Sequence, residues 1–218
     1  MERFLPRIVC RLYINNYIYS FLLLILLGGC KSLDPSTNRL PFFITKDLTP
    51  QWNIQPTHQV ANFSCINQLG KPFSSDVLQG KIYLANFFFT SCPGICIKMT
   101  NQLSTIQDSI AQQQGVQMLS FSVMPWVDSV AELHKYAKKY AIRSEIWQLL
   151  TGDKAMIYRL GRNSFFADDN MQGDTSTFLH SDKLYLVDGN QHIRGVYNAT
   201  RQEDMHRVLQ DIRMLKNE

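Results

Sequence analysis

The sequence predicts the α/β class, a central mixed sheet flanked by helices and finished by a C-terminal hairpin and helix. Three observations carry this reading. Residues 82–89 (IYLANFFF) form a nearly continuous apolar run, the texture of a strand covered on both faces. Strand-like and helix-like periodicities then alternate along the next seventy or so positions. Near the end, Asp188-Gly189-Asn190 stands between two strand-like runs, a strong hairpin signal, and a helical segment follows it.

Element by element, residues 60–66 (VANFSCI) read as a strand and residues 67–72 (NQLGKP) as the turn after it. Leu78-Gln79-Gly80-Lys81 is a second turn, leading into the apolar strand 82–89. Thr90 or Ser91 is then placed to cap a helix, and Pro93 suits a first helical turn. Met99, Leu103, Ile106 and Ile110 recur at helical spacing, and Gly115 closes that segment. Residues 116–123 (VQMLSFSV) form the next strand. Residues 128–141 read as an amphipathic helix whose apolar stripe is Val130, Leu133, Tyr136, Ala137 and Tyr140. A short strand at 146–150 precedes Asp153, which can cap a helix running to about Gly161. The hairpin pairs 183–187 with 192–197, and residues 201–215 end the chain as a helix. Strands and helices in this order match a thioredoxin-type sheet.

The first thirty residues stand apart from this pattern. Arg3, Arg7 and Arg11 precede a short apolar run at 17–27 that contains FLLLILL. A bilayer needs about 20 apolar residues, so the run suits the h-region of a signal peptide better than a span. It ends in Leu27-Gly28-Gly29-Cys30, and small residues directly before a cysteine resemble the lipobox of bacterial lipoproteins. Residues 1–29 are therefore read as a lipoprotein signal peptide, with Cys30 as the lipidated residue. An uncleaved anchor at 13–29 is the competing reading, and it gives no reason for small residues beside a cysteine. Either way the folded part is expected outside the cytoplasm of a bacterial cell, held in the envelope at a membrane. Residues 30–57, with Pro35, Pro41, Pro50 and Pro56, read as a tether, and residues 58–218 as one domain. The net charge of +4 is small and its basic residues are scattered, which argues against nucleic acid as a partner.

Five cysteines remain to be assigned. Cys10 falls in the signal peptide and Cys30 at its end, which leaves Cys65, Cys92 and Cys96 in the domain. Three thiols cannot all pair within one chain, so a structural disulfide framework is excluded. Cys92 and Cys96 lie four apart, directly after a buried strand and at a predicted helix N-terminus. The spacing puts both sulfurs on one face, and the helix dipole with its free N–H groups is expected to stabilise thiolate. Such a pair can oxidise to a disulfide or hold a soft metal, and the spacing alone does not choose. Two cysteines buried as small hydrophobes would look alike in sequence. Their position at the carboxyl end of a central strand, where α/β sheets place their sites, favours function.

A metal would need a third ligand. His134 and His206 fall on predicted helices among polar residues, His192 beside a turn facing solvent, and His58 at the end of the tether. His180 lies in Thr177-Phe178-Leu179-His180-Ser181, just before a strand. In a thioredoxin-type sheet that loop folds against the dithiol and carries a proline, but the last proline here is Pro125. Two thiolates and one imidazole suit Cu(I), and with a further weak ligand Cu(II). Structural zinc would want a fourth protein ligand, and Met99 reads as core.

Three blocks resemble the Sco/SenC family: residues 87–96 (FFFTSCPGIC) with Lys98-Met99-Thr100, residues 147–153 (WQLLTGD), and residues 178–181 (FLHS) with 184–188. The resemblance spans about residues 60–215. It implies a thioredoxin-like fold binding copper through Cys92, Cys96 and His180. It also implies a metallochaperone that delivers copper to, or maintains the thiols of, the dinuclear copper site of cytochrome c oxidase. The partner so implied is the copper-bearing oxidase subunit or another copper or thiol protein. Ile97, Leu179 and Met124 stand where many members have proline, aspartate and aspartate. These departures change groups around the site and remove no ligand. A membrane-tethered thiol–disulfide oxidoreductase using Cys92 and Cys96, or a redox or copper sensor, are the other functions open to the same residues.

Overall fold

The computed structural model describes residues 39–167 and 181–218. Cys30, the signal segment and His180 lie outside the described residues. One sheet of seven strands organises the domain: β1 (Ser64–Asn67), β2 (Pro72–Ser74), β3 (Ile82–Phe88), β4 (Val116–Ser122), β5 (Trp147–Thr151), β6 (Lys183–Val187) and β7 (Ile193–Asn198). Their order across the sheet is β2-β1-β5-β4-β3-β6-β7. The centre, β3, β4 and β5, is parallel, while β1, β2, β6 and β7 join antiparallel to their neighbours. The fold is α/β with a mixed sheet, as the sequence predicts.

β3 is the strand covered on both sides, and its side chains alternate between two cores as a pleat requires. Leu84 and Phe88 face one core, with Met99, Leu103, Ile106 and Ile110 of α1 (Ile95–Ala111), Leu133 and Tyr136 of α2 (Val130–Lys139), and Val208 and Ile212 of α4 (Gln202–Leu215). Tyr83, Ala85 and Phe87 face the other, with Ile157 of α3 (Lys154–Arg159), Phe165, Phe63 and Phe121. Each large apolar side chain so buried contributes about 1.5–3 kcal/mol. Cys92 and Cys96 belong to the first core and Cys65 to the second, so the sheet separates them.

Local chemistry sets the helix starts. Ser129 caps α2 by accepting the Glu132 N–H at 3.3 Å, and Asp153 caps α3 by accepting that of Met156 at 2.7 Å. α3 gives way after Arg159 to a π-type turn at Leu160–Ser164, close to where its end is predicted. The β6–β7 turn is tied by Asp188, whose carboxylate accepts the N–H groups of Asn190 and His192, both at 2.9 Å. Gly189 is required there, because a Cβ would come within 2.8 Å of the Gly80 backbone.

Two regions differ from expectation. The first strand begins at Ser64, since Val60 donates its N–H to Gln191 of the distant turn at 2.8 Å. β1 then pairs with a short β2 that alternation could not reveal in three residues. β1 covers β5 only at Leu150 and Thr151, and the Gln68 side chain continues the ladder. Its amide donates to the Trp147 carbonyl at 2.8 Å and accepts the Leu149 N–H at 2.9 Å. The second difference concerns the proline-bearing stretch. From Leu40 it lies along the domain, with Leu40 and Phe43 buried and the Phe43 N–H bonded to the Ile193 carbonyl at 3.0 Å. Arg194, itself buried, fastens it by donating to the carbonyls of Leu40 and Pro41. This strap sits at the Ile193 end of β7, the pole opposite the carboxyl ends of β3 and β4.

Candidate dithiol and metal centre

The site starts where β3 ends. After Phe88 the chain makes a tight turn, closed by the Cys92 N–H on the Phe89 carbonyl at 3.3 Å. Cys92 lies in this turn rather than in the helix. α1 begins only at Ile95, and its N-cap, Gly94, makes no side-chain bond, so neither Thr90 nor Ser91 caps it as predicted. Thr90 is engaged elsewhere, and the Cys92 sulfur takes over the capping role by accepting the Cys96 N–H at 3.4 Å. Both cysteines are free thiols and both are buried, 8% and 4% exposed.

The two sulfurs are not equivalent. Burial alone would push the Cys92 thiol up, but the N–H groups of Cys96, Gly94 and Ile95 and the Cys96 side chain outweigh it and hold its pKa below the ordinary thiol value. Burial pushes Cys96 up to about 12, with the neighbouring Cys92 and Asp128 charges adding to it and the Phe89 N–H opposing. The thiolate stabilisation expected of the helix start therefore falls on one sulfur. Cys65, across the sheet, is pushed to about 12 by burial.

Asp128 is a residue that sequence reasoning missed. It is wholly buried (0% exposed) at the carboxyl end of β4 and accepts hydrogen bonds from the Thr90 N–H, the Thr90 hydroxyl and the Ser122 hydroxyl. In sequence, Asp128-Ser129 offers two caps for one helix. Ser129 takes that role, and the surplus acid is the signal that could have marked Asp128.

The described histidines do not join the dithiol. His206 is exposed and His134 half-buried. His58 hydrogen-bonds the Ser164 carbonyl at 2.8 Å and packs against the Phe166 ring at a tilt of 32°. His192 does not face solvent as expected: its side chain is 13% exposed, packed on Phe42 and 3.5 Å from Asp188. Among the described residues, no group of three or more His, Cys, Asp or Glu side chains gathers to hold a metal. Two buried soft sulfurs fit a copper ion by their chemistry.

An α/β sheet that presents a C-x-x-x-C pair at the end of its central strand defines a thioredoxin-like dithiol protein. The SCO1/SenC family model matches residues 52–217, and the chain belongs to that family. The chain is similar to a SCO1/SenC family lipoprotein of Bacillus anthracis, at 28% identity and a TM-score of 0.64, covering 73% of this chain and 95% of that one. It is similar to BsSco, a member of the Sco family of cytochrome c oxidase assembly proteins in which a disulfide switch was identified. There the identity is 30% and the TM-score 0.63, over 73% of this chain and 94% of that one. Arabidopsis thaliana ScoI, solved with copper bound, shares 25% identity at a TM-score of 0.55, over 70% and 97% of the two chains.

Proposed function

We propose that this protein is a copper metallochaperone that holds its cargo through Cys92, Cys96 and His180. The copper-bearing subunit of cytochrome c oxidase, or another copper or thiol partner, receives it. The observation that carries this reading is the pair of buried sulfurs at the start of α1, one held toward thiolate by backbone N–H groups. The family supports it, as does the copper held by Arabidopsis ScoI. Cys92 supplies the first sulfur for an arriving ion, and Cys96 gives up its proton as the second. His180 precedes β6, whose first residues lie at the same pole as the end of β3. An imidazole there completes a donor set suited to Cu(I), and with a further weak ligand to Cu(II).

The test is copper stoichiometry and affinity of the reduced protein, against a Cu(I)-selective chelator, for the parent and for His180→Ala. One-to-one binding that weakens at least tenfold in the variant is expected, with the dithiol still able to oxidise. Unchanged affinity would sink the three-ligand site.

The inequality of the two sulfurs also favours a second reading, a thiol–disulfide oxidoreductase in which Cys92 attacks a client and Cys96 resolves the mixed disulfide. The disulfide switch of BsSco is in keeping with that chemistry. Catalytic reduction of a disulfide-bonded client, without copper and with a thiol reductant to restore the Cys92–Cys96 dithiol, would select it.

We also read residues 1–29 as a lipoprotein signal peptide, Cys30 as the lipid-bearing residue, 30–57 as the tether, whose part from Leu40 on is strapped to the domain, and 58–218 as the copper-binding domain. The domain is then held outside the cytoplasm in a bacterial cell envelope. The small residues before Cys30 and the lipoprotein of Bacillus anthracis support this.

A further inference from the structure

We propose that Asp128 is a positioning residue for the dithiol: its carboxylate pins Thr90 in the middle of the 89–92 turn, and that turn carries the Phe89 N–H facing the Cys96 sulfur and sets the Cys92 sulfur against the N–H groups of the helix start. The proposal rests on Cys92 and Cys96 being a working dithiol and is independent of copper. Three polar groups converge on the buried carboxylate. The Thr90 N–H reaches its two oxygens at 3.3 and 3.2 Å, the Thr90 hydroxyl one of them at 2.5 Å, and the Ser122 hydroxyl the other at 2.5 Å. Burying a carboxylate is costly, and an apolar side chain fills space without that cost. What an apolar side chain cannot do is hold the backbone and the side chain of one residue at once.

The acid is itself aimed. The N–H groups of Val127 and Asp128 both bond the Met124 carbonyl at 2.8 Å, which winds residues 124–128 back toward the end of β3. Ser122 braces this loop from β4 by accepting the Met124 N–H at 3.1 Å. On the other side of Thr90, the turn carries the Phe89 N–H that faces the Cys96 sulfur, and it sets Cys92 so that its sulfur meets the Cys96 N–H. Releasing Thr90 therefore loosens the donors of both sulfurs together.

The experiment is the equilibrium of the metal-free Cys92–Cys96 pair against thiol–disulfide redox buffers. It is run on the parent, Asp128→Ala, Asp128→Asn and a control, Ser120→Ala. Ser120 belongs to a buried hydrogen-bond chain with Asn86 and Trp147 in the middle of the sheet, so its loss costs stability away from the turn. In Asp128→Ala the turn that fixes the sulfurs against their donors is released, and because Cys96 stays protonated at neutral pH the loss of the Asp128 charge offsets little of this. The equilibrium constant should shift about tenfold toward disulfide, about 30 mV more reducing. Asp128→Asn keeps an acceptor for the Thr90 N–H and should recover most of the shift, while Ser120→Ala should leave the potential in place. If Asp128→Ala does not fold, Thr90→Val carries the test, with a shift of at least threefold in the same direction. An equilibrium constant within twofold of the parent's in Asp128→Ala, or in Thr90→Val when it stands in, overturns the proposal. So does an equal shift in Ser120→Ala. A parent that binds copper weakly but shows these shifts refutes the metallochaperone reading and upholds this one.

Discussion

At the scale of single residues, the site turns on how differently two neighbouring sulfurs are surrounded. Cys92 points at the open end of a helix and collects its N–H groups, while Cys96, one turn in, sits among apolar side chains with an anion beside it. A thiol with a lowered pKa is ionised at a lower pH than its neighbour, so between pH 7 and 9 the difference in thiolate population favours Cys92. In the reduced, metal-free protein, iodoacetamide should label Cys92 well before Cys96 and Cys65, both held near 12. Peptide mass mapping over time gives the order, and earlier labelling of Cys96 would contradict this account. The spacing of the pair was legible in the sequence, but its asymmetry was not. It depends on α1 starting at Ile95, which follows from a sulfur standing where a hydroxyl was expected to cap.

Among the elements, the long periodic ones were legible and the short or cross-linked ones were not. α1, α2 and α4 show apolar stripes over ten or more residues, and β3 shows an apolar run broken only by Asn86, so burial fixes them with little ambiguity. β2 is three residues long and owes its place to its partner β1. The strap from Leu40 to Phe43 has scattered apolar residues between prolines, and its attachment depends on Arg194, far along the chain. That guanidinium also pairs with Asp188 at 3.3 Å and Glu218 at 2.5 Å and lies 4.2 Å from the Phe42 ring centre. Removing one partner from a buried ionic cluster costs about 3–5 kcal/mol. Arg194→Ala should lower stability in urea by about that much. It should also open new protease cleavage sites between residues 39 and 57, read by mass spectrometry. Copper binding should persist, because the strap and the dithiol occupy opposite poles of the sheet.

For the whole molecule, the sheet works as a partition that keeps Cys65 away from the pair and leaves one pole to the dithiol. No helix of the described residues is long and apolar enough to cross a membrane. The lipid attachment proposed above is assigned to Cys30. Labelled fatty acid fed to cells expressing the full chain should be incorporated into the parent and lost in Cys30→Ser. Incorporation that survives the change would rule out Cys30 as the lipid-bearing residue. One further consequence follows from the Gln68 amide laid against β5. A strand margin with open main-chain groups is a template on which another chain can assemble, and proteins that leave one exposed are prone to fibrous aggregation. Here the first half of β5 is sealed by a single glutamine, whose side chain occupies the groups a foreign strand would seek and cannot pass the pattern on. Gln68 thus closes that stretch of β5 to the addition of another strand.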